Sequence, residues 1–85
     1  MKKVQVIVNS IFYPVHKVHN VTKKKNGEFG MFITVEAMTG KIYRTQIMHG
    51  DCVTVGELKT GKRFSPRTEE EFNELHDEIA KALEG

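Results

Sequence analysis

Covalent staples, long apolar runs and catalytic signatures are all scarce in this sequence. One cysteine, Cys52, stands among 85 residues. It excludes an intramolecular disulfide framework and fits a reducing compartment, so a cytoplasmic location is expected. The apolar run within MKKVQVIVNS breaks at Asn9, too early for a signal-peptide core or a membrane span. There is no nucleophile elbow, no phosphate-cradling glycine loop and no metalloprotease helix motif. A chain of this size also has little room for a water-excluding cleft. The expectation is a protein that is not an enzyme and needs no cofactor. His49 lies three residues before Cys52, across a Gly-Asp turn, and that spacing alone does not make a thiol–imidazole pair. Cys52 reads instead as a buried structural cysteine.

What is present is enough for one domain, residues 1–85, of ordinary globular composition: 39% hydrophobic and 28% charged. The net charge of +2 conceals a division. Residues 1–67 hold twelve Lys and Arg against Glu28, Glu36, Asp51 and Glu57, a net of +8. Residues 68–85 hold Lys81 against seven acids, a net of −6. Such asymmetry points to a polyanion partner or to an internal charge match.

No repeat or low-complexity tract interrupts the chain. Residues 3–9 alternate Val4, Val6 and Val8 as a first strand, and Pro14 marks the start of a second over 15–25. Phe12 and Tyr13 fall in the loop before it. Asn26-Gly27 reads as a two-residue type I′ turn, which needs φ > 0 at both central positions. It leads to a third strand over 28–38, Thr39-Gly40 to a fourth over 41–49, and Gly50-Asp51 to a short strand over 52–55. Lys59–Lys62 forms a further basic turn before a segment around Phe64. After Pro66 the apolar period changes from two to about 3.6. Thr68 and Glu71 fit a capping box, three glutamates occupy the first turn, and Phe72, Leu75, Ile79, Ala80 and Leu83 make one apolar stripe.

A two-residue turn at Asn26-Gly27 pairs Lys25 with Glu28, Val21 with Phe32 and Val18 with Val35. A bulged three-residue loop at Thr39-Gly40 pairs Val35 with Thr45, Ile33 with Ile47 and Glu36 with Arg44, a register favoured by burial. One sheet face then carries Val18, Phe29, Ile33, Val35, Tyr43 and Ile47. The other carries Val15, Val21, Phe32, Met38, Ile42 and Met48. Two apolar faces call for a mainly β (α+β) fold: a small, partly open antiparallel barrel or strongly curled sheet of about five strands over 1–65. The C-terminal helix of 66–85 would cover part of the second face. Src-homology-3-type and oligonucleotide-binding barrels have this size, an architectural analogy that carries no function.

Two basic turns are candidate phosphate contacts: Lys23, Lys24 and Lys25 at one hairpin tip, and Lys59, Lys62 and Arg63 at another. Lys2, Lys3 and Arg67 are possible neighbours. Strand alternation prevents three consecutive lysines from facing one way, and lysines also keep strand edges soluble. Tyr13 and Phe12 are the candidate stacking platform, since an aromatic on a basic surface contributes roughly 1–3 kcal/mol per base. Phe32 is expected beneath the helix stripe. His16-x-x-His19 and His49-x-x-Cys52 have the spacing of two zinc half-sites. The inferred register separates them by about 20 Å along one strand, and His16 and His19 on a strand would point to opposite faces, so no metal is assigned.

Two functions from different classes follow. The first is a small RNA- or DNA-binding domain that grips the phosphate backbone through its lysine-tipped hairpins. The second is a protein-binding accessory or inhibitor module, of the size small phage and mobile-element proteins often have. It would dock through Glu70, Glu74 and Glu78 of the acidic helix, or through an apolar strip at Phe32 and Met48. Either suits a monomer or a homodimer without a membrane partner.

Overall fold

The computed structural model describes residues 2–85. Its elements are β1 (Val4–Val8), β2 (Ile11–Val18), β3 (Thr22–Lys23), β4 (Phe29–Glu36), β5 (Ile42–Met48), β6 (Val53–Val55), β7 (Lys62–Phe64) and α1 (Glu69–Glu84). β5 pairs with β4 from Gly30 to Glu36, so β2 and β3 share the opposite edge of β4 as one interrupted strand. The lateral order is β5, β4, β2 with β3, β1, β6, β7, with every neighbouring pair antiparallel. Among the described residues β5 and β7 are unpaired on their outer sides, so the sheet is curled but not closed. This is the expected architecture: an open antiparallel sheet with one C-terminal helix. Among the described residues no helix is long and apolar enough to cross a membrane.

The turns differ from expectation in an instructive way. The two-residue hairpin with positive φ at both positions is Asn9-Ser10, at 48° and 71°, which joins β1 to β2. Phe12 and Tyr13 therefore lie within β2, not in a loop. Pro14 sits inside β2 opposite Gln5. The Gln5 carbonyl turns away to accept from Gly56 N–H, so that position of the β1–β2 ladder asks nothing of the missing proline N–H. At Asn26-Gly27, only Gly27 takes positive φ, at 87°. The Asn26 side chain accepts from Glu28 N–H at 3.0 Å, an Asx contact that makes Lys25–Gly27 a three-residue loop. Lys24 N–H donates to Glu28 C=O to close it. The register moves by one, and Lys23 stands opposite Phe29.

The second hairpin has its three-residue loop, over 38–40, closed by Ala37 and Lys41 with Gly40 at φ 87°. It slips two residues from the expected pairing. Val35 opposes Tyr43, Ile33 opposes Thr45, and Glu36 opposes Ile42 rather than Arg44. A slip of two leaves each side chain on its own face.

The two-faced apolar sheet does not form. A bulge between Val15 and Lys17 turns Val15 onto the face of Ile33 and Val35. One core results, of Val6, Val8, Val15, Met31, Ile33, Val35, Ile47, Val53 and Val55 against Phe72, Leu75 and Ile79 of α1. The helix thus covers the face of Ile33 and Val35, not that of Phe32. Its start is as the sequence implies: Thr68 Oγ1 accepts from Glu71 N–H at 3.2 Å, while Glu71 Oε1 accepts from the Thr68 and Arg67 N–H groups. Gly85 N–H closes the last turn on Lys81 C=O.

Candidate functional site

The helix-free face of β2, β4 and β5 collects the polar chemistry. Along β4 it presents Gly30, Phe32, Thr34 and Glu36. Opposite these, β5 presents Met48, Gln46, Arg44 and Ile42 in turn. From β2, Lys17 stands opposite Thr34. The bulge makes His16 and Lys17 neighbours on this same face, because two residues there oppose one. His16 Nε2 meets Glu36 Oε1 at 2.7 Å, and Lys3 Nζ lies 3.7 Å from the same oxygen. His19 Nε2 meets Thr34 Oγ1 at 2.7 Å. His16 and His19 thus share a face, contrary to the strand alternation assumed from sequence. Among the described residues no three His, Cys, Asp or Glu side chains converge as a metal site would require.

Gly30 is buried on this face. A Cβ there would stand 3.2 Å from Gln46 Nε2 and from Ile47 O and 3.8 Å from Lys24 Cε, so the Gln46 and Lys24 side chains lie over it. Lys24, Lys17, Arg44 and Lys3 are the cations of the face. Its acids are Glu36, held by His16 and Lys3, and Glu28, which stands opposite Lys24 before β4 and lies 3.7 Å from His49 Nδ1. The hydrogen bond from His16, followed by the Lys3 charge, holds the Glu36 carboxyl below its usual range. Burial, then the charges of Arg44 and Lys17, lowers the pKa of His19. The acids of α1 lie beyond the core, on the other side of the sheet.

The lysine tip divides as alternation demands. Lys23 Nζ sits 5.9 Å over the Phe29 ring toward the core side, Lys24 lies on the open face, and Lys25 is exposed in the turn. The second basic turn opens at the same end of the sheet, because β6 runs against β1, β1 against β2, and β2 against β4. The two tips do not merge. Val35, at the far end of β4, is level with Val15 and Val4, and Phe29 lies about 20 Å further along. Lys62 is also drawn onto the helix, 3.8 Å from Glu78 Oε1, with its ammonium 5.6 Å over Phe64. Lys59 is exposed, and Arg63 is exposed opposite Thr54.

Tyr13 turns inward and packs on the core edge, whereas Phe12 is 56% exposed. Both line a groove of about 510 Å³ with Lys3, Pro14, Met38 and Tyr43. Phe32 is half-buried on the open face rather than under the helix, with the exposed Met48 on the same face. Glu70 and Glu74 are exposed on α1, and Glu78 is the partner of Lys62. Cys52 is exposed, not buried; its backbone binds the Asn9 turn through Asn9 Oδ1 and Asn9 N–H.

Sequence reasoning did not single out Lys17 or Arg44, and it weighed His19 only as a metal ligand. The inferred register already sets Lys17 opposite Glu36 and His19 opposite Thr34, on the face of Arg44. What the bulge adds is His16, turned onto that face beside Glu36. Compared with protein-family models, curated proteins and solved structures, the chain matches none.

Proposed function

We propose that this chain binds single-stranded nucleic acid across the helix-free face of its sheet, without catalysis. The observation that carries the reading is the separation of charge through the sheet. Lys3, Lys17, Lys24 and Arg44 lie on one side, where Glu36 is paired with His16 and Lys3 and Glu28 lies beside His49, and the glutamates of α1 occupy the other. Phosphates would follow the cations, and the half-buried Phe32 ring and the exposed Phe12 offer surfaces on which unpaired bases can stack. Lys23 and Lys25 extend the surface at one end. Lys59, Lys62 and Arg63 belong to a separate edge and contribute long-range attraction at most. An exposed lone thiol suits a reducing compartment, so a cytoplasmic setting accompanies the reading.

The alternative of a protein-docking module is favoured by one feature, the exposed acidic side of α1 at Glu70 and Glu74. The two readings part in one titration. A fluorescently labelled, mixed-sequence single-stranded oligonucleotide should raise anisotropy with an affinity that falls steeply with salt. No binding at ~50 mM salt would eliminate the nucleic-acid reading.

A further inference from the structure

The two open edges of the sheet are built differently. β7 is three residues long, carries Lys62 and Arg63, and is tied to α1 through Glu78. These are the usual protections of an edge strand. β5 has seven residues, Ile42–Met48, with no proline and one charge, and its ladder with β4 is unbroken by any bulge. Ile42, Tyr43 and Met48 are 50%, 41% and 47% exposed.

The hydrogen bonds fix which backbone groups of β5 look outward. Lys41 C=O accepts from Ala37 N–H, so Lys41 and, by alternation, Tyr43, Thr45 and Ile47 turn their groups toward β4. Ile42, Arg44, Gln46 and Met48 turn theirs away. Met48 bears this out, since its N–H donates to Asp51 Oδ2 at 2.8 Å and its C=O accepts from Asp51 N–H at 3.0 Å. Asp51 thus closes one end of the edge. Among the described residues no strand pairs with the groups of Ile42, Arg44 and Gln46.

The order of side chains selects the occupant. About Thr45, Arg44 mirrors Gln46, Tyr43 mirrors Ile47 and Ile42 mirrors Met48. We propose that the chain forms a twofold-symmetric dimer in which β5 pairs antiparallel with β5 of a second copy, the axis passing at Thr45. Arg44 of each copy then opposes Gln46 of the other, and these are residues whose backbone groups look outward. Apolar residues meet apolar residues on either side of them. An axis at Arg44 would oppose two guanidinium groups, which is destabilising. An axis at Gln46 would leave only the Gln46 pair free to bond, because Arg44 would oppose Met48, whose backbone groups Asp51 already occupies. At Thr45 both Arg44–Gln46 pairs are free, and only the flanking Ile42–Met48 pairs go without. Such an interface uses the same patch on both copies and closes on itself. It joins two helix-free faces into one continuous surface, yet it stands independently of what that surface binds.

Sedimentation velocity on the full chain tests the proposal. The mass is expected to rise from 9.7 kDa to twice that value with concentration. Gln46→Arg, which sets cations against Arg44 on an outward-facing position, should hold it at the monomer mass. The double variant Arg44→Glu, Gln46→Glu should also be monomeric, and mixing it with Gln46→Arg should restore a mixed dimer. As a register test less exposed to folding defects, Thr45→Cys in a Cys52→Ser background should form a covalent dimer on mild oxidation, because facing residues of a non-hydrogen-bonded pair stand about 4.5 Å apart at Cα. A chain that stays monomeric at every concentration would overturn the proposal. So would a dimer that survives Gln46→Arg, or one that fails to cross-link through Thr45→Cys.

Discussion

His16 and Glu36 meet across the β2–β4 ladder at 2.7 Å, and they meet because a bulge beside His16 directs its ring onto the open face. The His16 side chain is only 7% exposed. Its buried Nδ1 has no hydrogen-bond partner among the described residues, so Glu36 is the contact that fixes the ring. Lys3 adds a second positive neighbour to the same carboxylate. The pair occupies the junction between the cationic strip along β4 and the groove beside Phe12.

That contact makes a pH-dependent contribution. The hydrogen bond from His16 and the charge of Lys3 lower the folded pKa of Glu36 below 4.5. Its contribution is therefore complete above the ordinary carboxylate value and is lost as pH falls through the lower, folded value. Glu36→Gln should reduce the urea midpoint at neutral pH, with the deficit shrinking toward strongly acid pH. A deficit that persists unchanged in acid would mean that the carboxylate charge is not what matters.

His19 reports on the proposed surface directly. Burial first, then Arg44 and Lys17, lowers its pKa below 6.5. Folding therefore resists protonation there, and stability is lost as pH falls from 6.5 through the folded value. A polyanion lying on Arg44 and Lys17 must offset two of those causes and raise the value toward 6.5. Imidazole proton shifts followed by NMR with and without a single-stranded oligonucleotide give the comparison. Saturating oligonucleotide that leaves the His19 titration unmoved would place the ligand elsewhere.

Charge neutralisation distinguishes the open face from the second basic turn. Single-stranded binding has a salt slope near −0.7 for each phosphate contact, so Lys17→Gln, Lys24→Gln and Arg44→Gln together should flatten the slope by about 2. Lys59→Gln with Lys62→Gln should change it less, because Lys62 is already engaged by Glu78. Anisotropy titrations over a range of salt decide this, and a larger effect from the second pair would reverse the assignment. Glu70→Gln with Glu74→Gln should leave the slope nearly unchanged.

What could be read in the chain followed from local chemistry. Thr68 with Glu71 and the stripe of Phe72, Leu75 and Ile79 defined α1, because capping and a 3.6-residue period are properties of neighbouring residues. The alternation of Met31, Ile33 and Val35 defined β4 in the same way. The faces of β2 were not legible, since the bulge beside His16 is a response to packing: Val15 gains a place in the core, and His16 gains Glu36. The turn at Asn26-Gly27 differs by one residue from the two-residue form its sequence favours, because the Asn26 side chain bonds to Glu28 N–H and competes with that turn. Without the bulge Val15 falls on the face of Phe32, and that face then looks apolar enough to receive the helix. With it Val15 joins Ile33 and Val35, and the face of Phe32 is left open.

The core should tolerate little. Phe72, Leu75 and Ile79 are fully buried against strands from across the sheet. Phe72→Ala is expected to cost about 3–5 kcal/mol, a large share of the total for so small a domain, where stability starts near ~5 kcal/mol. Calorimetry or urea unfolding should find this variant mostly unfolded at 37 °C. A cooperative transition near the wild-type midpoint would show that the helix is not integral to the fold.

Gly61 separates the stability of the second basic turn from any part it takes in binding. A Cβ there would lie 2.6 Å from Glu57 O and Val55 O and 2.8 Å from Thr54 Cγ2. Two of these neighbours are backbone atoms that cannot swing aside, and Gly61 N–H donates to that same Glu57 carbonyl. Gly61→Ala must therefore spread the β6–β7 loop, at about 1–3 kcal/mol. Gly27→Ala meets no atom within 4 Å but takes a side chain at φ +87°, which costs roughly 1–2 kcal/mol. Urea midpoints should fall for both. Their oligonucleotide affinities should differ in the opposite sense. Spreading the β6–β7 loop leaves the strip from Lys24 to Lys3 intact, whereas disturbing the turn at Gly27 displaces Lys24 from its place beside Gly30. Folded Gly61→Ala protein with markedly weakened binding would move the site to the other edge of the sheet.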